Sequence, residues 1–333
     1  MNLSRGGEVL AAREILELVQ EDLREVERVI DLESMASVSA VTTISRYLSR
    51  NGGKRLRPIL LLLSARLVGD VKPGAIQLAA VVEMIHTATL VHDDIIDVAE
   101  TRRGKPSTNV LFGNHTSVLA GDWMYMQAFQ IAVRERNFHV LDILIALTQM
   151  MVEGELIQLE RIGKIDVTEA DYMELVDRKT AGLFSACARL GAVIGGTTDE
   201  NETRLGDFAW NLGMAFQLTD DVLDFTAQES VLGKPVGSDL REGKVTLPLI
   251  YALQEASASE RALIDTVLRE RSYETVSFRA VLDMICRHSG IARAQERAHS
   301  FAERSRALLS EFPESSYQKA MFAVADLVTE RSF

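Results

Sequence analysis

The sequence predicts an all-α fold. Apolar residues recur at spacings of three and four, with charged residues between them, along most of the 333 residues. No run of alternating β-branched residues is long enough for a strand, and no low-complexity linker divides the chain. Two domains are possible at this length, but an all-helical protein can hold such a chain around one core. We therefore expect a single helical domain over 1–333.

The predicted helices follow this periodicity, and the breaks between them carry Gly and Pro. In the first third of the chain we expect helices over 8–30, 38–49, 56–68 and 73–97. Two glycines and Pro58 interrupt the pattern at 51–58, and Pro73 suits the first turn of the helix it begins. Beyond a loop predicted at 102–116, helices are expected over 117–134, 139–162, 168–194 and 199–225. A second loop, 226–245, leads into roughly four or five amphipathic helices between 247 and 330.

Composition and charge exclude several classes of protein. Charged residues make up 25% and hydrophobic residues 47% of the chain, which is typical of a soluble globular protein. The net charge of -12 argues against nucleic acid as a partner, because binding it depends on a broad basic surface. Cys187 and Cys286 have no metal-type spacing, so two buried thiols in a reducing compartment are expected.

No targeting or membrane-spanning segment is predicted. The N-terminus lacks the continuous apolar core of a signal peptide and carries too many acids for a transit peptide. The nearest approach to a membrane span, 74–91, contains Glu83 and His86 and runs directly into aspartates. We interpret it as a buried central helix of a cytoplasmic protein.

The apolar run EMIHTATLVHDDIID ends in Asp93, Asp94 and Asp97 and is the first candidate site. On a helix, Asp93 and Asp97 lie one turn apart and project from the same face. Two carboxylates in that position repel each other unless a cation lies between them. Oxygen ligands without Cys or a full His set favour a hard cation, and Mg²⁺ commonly completes its coordination with substrate phosphate. The motif therefore predicts half of a site whose other half is a ligand.

A second copy of this motif strengthens the metal interpretation. In MAFQLTDDVLDF, apolar residues again run into Asp220, Asp221 and Asp224 with the same spacing. Two such clusters that face each other across a helical bundle would hold several divalent ions around one polyanion.

Basic residues concentrate in the predicted breaks, although the chain is acidic overall. Arginine side chains match phosphate oxygens in pairs, whereas lysine supplies point charge. These cations suit a site for two diphosphates, one held through Mg²⁺ and the other mainly by Lys and Arg. The residues concerned are Lys54, Arg55, Arg57, Arg102, Arg103, Lys105, Arg178, Lys179, Lys234 and Lys244.

Five segments of the chain together resemble the signature segments of the trans-polyprenyl diphosphate synthases, in that family's order. They are GGKRLRP, HDDIIDVAETRRGKPSTN, DRKTAGLF, GMAFQLTDDVLDF and GKPVGSDLREGKVTLPLI. The resemblance covers nearly the whole chain. It implies an antiparallel helical bundle around a deep central cavity, usually paired as a homodimer. It also implies Mg²⁺-dependent condensation of isopentenyl diphosphate with an allylic diphosphate such as farnesyl diphosphate, with three Mg²⁺ ions in each active site.

The resemblance assigns a role to each motif position. Asp93 and Asp97 would bind Mg²⁺ on the allylic diphosphate with support from Asp94, and Asp220, with Asp221 and Asp224, would hold the opposing Mg²⁺. Arg102 would contact the allylic diphosphate, and Lys244 would make a further diphosphate contact. The residues implied for isopentenyl diphosphate are Lys54, Arg57, His86 and Arg103. Those implied near the breaking C–O bond are Lys179, Thr180, Gln217 and Lys234.

Product length is predicted from the residues one turn upstream of Asp93. Relatives with short products carry a bulky aromatic side chain near that position, whereas this chain has the small Ala88 and Thr89. One helical turn of about 5.4 Å is on the order of one isoprene unit, so the floor of the tunnel should lie several turns deeper. The candidates for that floor are Met84, Met124, Tyr125, Met126 and Phe129. We expect roughly eight to ten isoprene units (about C40 to C50), suited to a quinone side chain, and peripheral membrane contact for product release.

Three alternatives stay open at this point. A geranylgeranyl or other shorter-chain synthase would carry the same motifs. A non-catalytic partner subunit of a two-component synthase typically lacks one or both aspartate motifs, and this chain has both. A di-iron helical bundle is suggested by Glu83-x-x-His86 and Glu296-x-x-His299, although that reading gives no role to Asp220 or Arg102.

Overall fold

The computed structural model describes residues 12–50, 55–102, 104–227 and 236–329, and these residues form an almost wholly helical protein. The first half contains α1 Ala12–Glu33, α2 Ser39–Arg50, α3 Leu56–Val68, α4 Pro73–Ile96, β1 Thr101–Arg102, β2 Lys105–Pro106, α5 Thr108–Phe112, α6 Asn114–Arg134 and α7 Phe138–Arg161. The second half contains α8 Glu169–Val176, a π-helical turn Asp177–Ala181, α9 Gly182–Gly195, α10 Asp199–Thr226, α11 Ser238–Arg241, α12 Leu247–Glu255, α13 Ala258–Glu270, α14 Phe278–Arg287, α15 Gly290–Leu309 and α16 Ser316–Thr329. The all-α prediction is confirmed.

Local capping explains where several of these helices begin and end. At the start of α8, the Thr168 side chain accepts a hydrogen bond from the Asp171 N–H, and the Asp171 side chain accepts one from the Thr168 N–H. Ser257 and Glu260 form the same reciprocal pair at α13. Such pairs satisfy backbone donors that the first turn of a helix leaves without partners. Gly196, in the left-handed conformation at φ 85°, ends α9.

The structure differs from the sequence expectation mainly at loops. The predicted loop 102–116 contains the short helix α5 and the first residues of α6, together with the two-residue ribbon of β1 and β2. The single helix expected over 168–194 is interrupted by the π-helical turn. The expected series of helices after 247 is confirmed as α12 to α16.

Two hydrophobic clusters form the interior, and α10 contributes to both. One joins α1, α3, α4, α6, α7, α9 and α16, and the other joins α8 with α12 to α15. Phe208 and Leu212 of α10 lie in the first cluster, whereas Met214, Leu218 and Val222 lie in the second. The second aspartate motif is therefore carried on a helix that is fixed on two sides.

Helix α4 is the central helix of the first cluster and packs against α1, α3, α6 and α9. Within the described ranges it alone is long and apolar enough to cross a membrane, but 61% of its apolar window is buried inside the protein. This matches the expected buried helix, and it sets the first aspartate motif at the end of a rigid core element.

Candidate active site

The first aspartate cluster lies at the carboxyl end of α4, just before the β1–β2 ribbon. Asp93 and Asp94 lie in the last turn, and Asp97 follows the helix with its N–H donating to the Asp93 carbonyl at 2.8 Å. Asp94 is buried, and its Oδ1 accepts a hydrogen bond of 2.6 Å from Nε of Arg102. The Arg102 guanidinium therefore offsets part of the charge of Asp94, although burial still raises the pKa of that carboxyl above its usual range.

Lys244 connects the first cluster to a distant part of the chain. Its Nζ lies 3.0 Å from Oδ2 of Asp97 and 2.8 Å from Oε2 of Glu242. Burial lowers the pKa of Lys244, but Glu242 and Asp97 outweigh this effect and hold the pKa above its usual range. A charged ammonium thus lies between the first cluster and the segment that follows the second cluster.

Asp93 faces a cavity that also contains Lys179 and Glu155. Burial is the main reason why the pKa of Asp93 is raised to about 6. Lys179 opposes this rise, whereas Glu155 and Asp97 add to it. The Lys179 Nζ forms an ion pair with Glu155 and donates a hydrogen bond of 3.1 Å to Oε1 of Gln158. The negative charges of Glu155 and Asp97 raise the pKa of Asp93 because the carboxylates repel one another. A divalent cation bound by these oxygens would relieve that repulsion.

In the second cluster, Asp221 is buried in a network of neutral donors. The Tyr172 hydroxyl donates to Oδ2 of Asp221 at 2.7 Å, and Nε2 of Gln217 donates to Oδ1 at 2.8 Å. The Thr180 hydroxyl in turn donates to Oε1 of Gln217 at 2.9 Å. Burial, with a smaller contribution from Asp239, raises the pKa of Asp221 well above its usual range, although the Tyr172 and Gln217 hydrogen bonds oppose the rise.

Asp224 and Asp220 have different surroundings. Asp224 is fully buried and accepts hydrogen bonds from the Ser238 hydroxyl at 2.9 Å and from the Asp239 N–H at 3.2 Å. Asp220 is half-buried. Of the three carboxylates, Asp220 is therefore the one best exposed to a ligand, and Asp224 anchors the start of α11.

The π-helical turn Asp177–Ala181 directs Lys179 and Thr180 into the site. It packs against α7 at Gly154, where an added Cβ would lie 2.8 Å from the Cβ of Arg178. Only glycine permits this approach. Single-turn π segments inside α-helices are frequent at functional sites, and here one aligns Lys179 with Gln158 and Thr180 with Gln217.

The basic segment at the start of α3 brings Arg57 to His86. Nη1 of Arg57 lies 3.1 Å from Nε2 of His86, and the Arg57 guanidinium stacks 5.5 Å from the centre of the Phe184 ring. Arginine only donates, so Nε2 of His86 acts as the acceptor. Three further predicted site residues, Lys54, Arg103 and Lys234, lie outside the described residues.

Two cavities meet at Lys179. The larger, of about 350 Å³, lies between α4, α6 and α7 and is mainly apolar beyond Asp93, with walls that include Thr89, Ile96, Tyr125, Met151 and Leu156. The smaller, of about 140 Å³, is lined by Thr180, Gln217, Asp221, Lys244 and residues of α8. An apolar compartment and a charged compartment therefore share one lysine between them.

Comparison with known proteins agrees with this geometry. The model of the polyprenyl synthetase family matches residues 38–285. The chain is 36% identical over 326 residues to the octaprenyl diphosphate synthase of Haemophilus influenzae, covering 98% of this chain and 99% of that protein.

This chain belongs to the polyprenyl synthetase family. Two solved structures resemble it over nearly their whole length. The polyprenyl synthase of Caulobacter crescentus CB15, complexed with calcium and isoprenyl diphosphate, has a TM-score of 0.92 at 34% identity and covers 98% of this chain and 99% of its own. A decaprenyl diphosphate synthase from Rhodobacter capsulatus has the same TM-score of 0.92 and the same 34% identity, with 96% and 99% covered. The protein is thus a prenyltransferase for isoprenoid diphosphates, in a family that uses divalent metal ions.

The acidic side chains of this prenyltransferase fit a divalent cation better than a di-iron centre. In the described part of the chain, no three His, Cys, Asp or Glu side chains are already gathered around one point. Asp93, Asp97 and Asp220 supply carboxylate oxygens only, which suits a hard cation. The di-iron alternative is not supported, because Glu83 is bonded to Arg55 and His299 lies exposed on α15.

The predicted chain-length residues separate into two groups. Thr89 and Tyr125 line the larger cavity, and Phe129 packs half-buried against the first hydrophobic cluster. Apart from Thr89 and Tyr125, none of the seven lines that cavity. Ala88 is fully buried, Met84 and Met124 lie beside a small pocket next to α1 and α2, and Met126 is 66% exposed on α6. Helical spacing alone does not tell which face of α6 turns inward.

Sequence reasoning missed several residues that the structure brings to the site. They are His92, Glu155, Gln158 and Tyr172. Glu155 and Gln158 lie three residues apart on α7 and so share one helical face. That pair in EGELIQLE is the one signal in the sequence that points to a polar face there. His92 stacks on Tyr125 with ring centres 6.0 Å apart.

Proposed function

We propose that this prenyltransferase extends an allylic diphosphate such as farnesyl diphosphate with isopentenyl diphosphate. The product is an all-trans polyprenyl diphosphate of roughly eight to ten isoprene units. The observation that carries the proposal is the junction at Lys179, where the apolar cavity adjoins the charged one. An allylic diphosphate needs both compartments, one for its tail and one for its head.

Residues around this junction stabilise the departing diphosphate. Asp93, Asp97 and Asp220 would hold Mg²⁺, three ions in each site, which when bound neutralise the diphosphate and promote its departure. Arg102 and Lys244, already paired with Asp94 and Asp97, add positive charge at the same end. Preorganised charge of this kind stabilises developing charge without reorganisation during the reaction.

The new bond forms in the apolar compartment. The allylic substrate ionises to a delocalised carbocation, and the double bond of isopentenyl diphosphate attacks it. The oxygen atoms of Thr180 and Gln217, linked to each other at 2.9 Å, line the adjoining charged compartment. Loss of a proton completes each cycle, and the departing diphosphate is our proposed acceptor. Apolar walls such as Met151 and Leu156 exclude the water that would capture the cation.

Isopentenyl diphosphate is proposed to bind at Arg57 and His86, together with Lys54 and Arg103. Its diphosphate is held there by direct cationic contacts. The Arg57–His86 pair supplies positive charge to such a ligand, and the buried Phe184 ring packs against the Arg57 guanidinium.

A long product is favoured by the small side chains along α4. Thr89 lines the cavity and Ala88 is buried in the core, so no bulky side chain stands at either position of α4. Between Ile96 and Thr89 the helix rises about 10 Å, on the order of two isoprene units. The remaining units must follow the open side of the cavity, which borders exposed Val152, Leu156 and Leu159 of α7. A product of this length suits a quinone side chain.

The test is a product ladder. Purified protein is incubated with Mg²⁺, farnesyl diphosphate and labelled isopentenyl diphosphate, and the dephosphorylated products are separated by chain length. We expect a ladder that ends near eight to ten units. A ladder that stops at about four units would favour a geranylgeranyl-length synthase closed by Tyr125, and the absence of product with any allylic primer would contradict the proposal.

A Thr89→Phe variant tests the tail path within the same assay. Its ring would enter the larger cavity one turn below Asp93, so the main product should shorten while the first condensation persists. Thr89→Ser, which changes the volume little, should leave product length unaltered. An unshortened product from Thr89→Phe would show that the tail does not pass Thr89.

A homodimer is proposed on the exposed apolar face of α6 and α7. Exposed apolar residues recur there at intervals of seven, as in a helix packing seam. On α6 they are Leu119, Met126 and Val133, and on α7 they are Phe138, Ile145, Val152 and Leu159. A large apolar patch on a protein surface usually marks an interaction site. A second copy on this face would also cover the open side of the product cavity.

The dimer is tested by light scattering of the purified protein. The wild type should have twice the mass of the 333-residue chain, and Ile145→Lys should shift it toward the monomer because a charge in an apolar interface is costly. A Glu255→Lys substitution on α12 changes charge away from this face and serves as the control. A wild-type monomer would contradict the assignment.

The proposed location is the cytoplasm, with peripheral contact to a membrane for product release. The burial of α4 inside the fold supports this, because it leaves that helix in the core of the protein. A long polyprenyl chain has little solubility in water and needs an apolar acceptor. Fractionation of cells that express the protein should recover it in the soluble fraction, with a portion bound to membranes released by salt.

A further inference from the structure

Two arginines at the start of α3 have opposite surroundings. Arg57 pairs with the imidazole ring of His86, whereas Arg55 is clamped by two carboxylates. The difference matters because both belong to one basic segment, in which the family resemblance gives a role to Arg57 but none to Arg55. Because two carboxylates already hold the Arg55 guanidinium, we do not expect it to bind a diphosphate.

Arg55 ties three helices together. Its Nη1 donates to Oε1 of Glu83 on α4 at 2.8 Å, and its Nε and Nη2 form a fork on the carboxylate of Glu27 on α1, with Nη2 3.2 Å from Oε2. The side chains of Arg55 and Glu83 are only 16% and 9% exposed. Bidentate pairs of this kind fix direction as well as distance.

The backbone of Arg55 also depends on this clamp. Arg55 precedes α3 in the left-handed conformation, with φ 49° and ψ 33°, which is unfavourable for a residue with a Cβ. Its carbonyl accepts a hydrogen bond from the Ile59 N–H in the first turn of α3. The clamp therefore holds both the entry into α3 and the direction in which Arg57 leaves it.

Glu83 and His86 make two successive contacts between α4 and this segment. They lie three residues apart on one face of α4, with Glu83 on Arg55 and His86 on Arg57. A shift of the first contact would displace the second, because both arginines lie within one turn of chain.

We propose that Arg55, held by Glu27 and Glu83, is a positioning residue that sets Arg57 and His86 for isopentenyl diphosphate without contacting the diphosphate itself. This inference rests on the proposed function of Arg57 and His86. Its role is geometric, since the two carboxylates offset the charge of Arg55.

The key variant is Glu83→Gln, because the two possible roles of Arg55 predict opposite signs. If Arg55 bound the diphosphate, removal of the competing carboxylate would lower the KM for isopentenyl diphosphate. Under the positioning role, the weakened clamp raises that KM by about tenfold, since small misplacements of binding groups are costly. The KM for farnesyl diphosphate should change by less than about twofold, which a general loss of structure would not produce.

Arg55→Lys provides the second variant, and Arg66→Lys provides its control. Arg66 forms a similar fork from α3 to α1, with Nε and Nη2 at 3.0 and 2.7 Å from Oδ2 of Asp22, but it is remote from His86. Both variants keep the charge and lose a fork. Arg55→Lys should raise the KM for isopentenyl diphosphate, whereas Arg66→Lys should lower the melting temperature comparably and leave both KM values unchanged.

Binding measured by calorimetry without divalent metal gives a readout that does not need turnover. The affinity for isopentenyl diphosphate should fall in Glu83→Gln and Arg55→Lys, and the double variant should resemble the single ones because both break one clamp. A lower KM in Glu83→Gln, or equal effects of Arg55→Lys and Arg66→Lys, would overturn the inference. If Arg57→Ala leaves the affinity for isopentenyl diphosphate unchanged, the proposed site at Arg57 and His86 is wrong. That result is distinct from one that contradicts only the positioning role of Arg55.

Discussion

The two aspartate motifs have the same spacing but different surroundings. In the first, cations hold the carboxylates, with Arg102 on Asp94, Lys244 on Asp97 and Lys179 near Asp93. In the second, neutral donors hold them, with Tyr172 and Gln217 on Asp221. The cations of the first cluster can therefore pair with an anionic ligand as well as with the aspartates. The neutral donors of the second cluster mainly fix the positions of its carboxylates.

This difference ranks the six aspartates. Asp93, Asp97 and Asp220 are half-buried, whereas Asp94, Asp221 and Asp224 are buried. A carboxylate whose two oxygens already accept hydrogen bonds within the protein is a poor first ligand for a metal. We therefore expect substitutions in the two motifs to separate into effects on turnover and effects on stability.

The largest effect is expected for Asp93→Asn, which keeps the shape and removes the charge. Turnover should fall by at least about 100-fold, on the scale of losing a principal electrostatic contact in a transition state. The melting temperature should hold or rise, because burial raises the pKa of Asp93 to about 6 and its charge is therefore costly in the folded protein. Steady-state kinetics with excess Mg²⁺ measure the turnover, and a thermal melt measures the melting temperature. If the Asp93→Asn variant condensed its substrates at the wild-type rate, Asp93 would not be a metal ligand.

The next effect contrasts Asp224→Ala with Asp220→Ala in the same motif. Asp224→Ala leaves the Ser238 hydroxyl and the Asp239 N–H buried without their acceptor, which should cost about 1 to 3 kcal/mol in the free energy of unfolding. Asp220→Ala should lower turnover more and stability less. Denaturant titration and kinetics on both proteins provide the comparison. The reverse order would show that Asp224 is the ligand and Asp220 the anchor.

A smaller effect is expected for Tyr172→Phe. The change removes one donor from Asp221 and loosens the Gln217 amide that Asp221 orients, so turnover should fall by about fivefold, in line with about 1 kcal/mol for one hydrogen bond. Tyr273→Phe removes a comparable hydroxyl, which donates to the Gly237 carbonyl at 2.8 Å, and serves as the control. Equal kinetics in the two variants would mean that the Tyr172 bond does not reach the reacting groups.

Much of the fold and the positions of both motifs follow from local sequence. Apolar periodicity predicted the helices, and the DDxxD spacing predicted that Asp93 and Asp97 share a face. The partners of these residues were not predictable, because they lie far away in the chain. Tyr172 precedes Asp221 by 49 residues, and Lys244 follows Asp97 by 147. The π-helical turn also has no local signature, since it depends on the close approach that Gly154 of α7 allows.

The smallest expected effect uses a carboxylate outside the site as a reference for both clusters. Glu260, in the first turn of α13, accepts hydrogen bonds from the N–H and hydroxyl of Ser257, and these contacts, with a contribution from His288, lower its pKa to about 2. This direction is opposite to that of Asp93 and Asp221. Because the folded protein favours the ionised form, Glu260 stabilises the fold above its ordinary pKa of 4.5, and this stabilisation is lost as the pH falls from about 5 toward 2. The melting temperature of the wild type should therefore decrease more steeply over this interval than that of Glu260→Gln, with the two curves converging near pH 2. Parallel curves of melting temperature against pH would mean that the hydrogen bonds from Ser257 do not favour the ionised form of Glu260. Hydrogen bonding would then not explain why the pKa of Glu260 shifts in the opposite direction to those of Asp93 and Asp221.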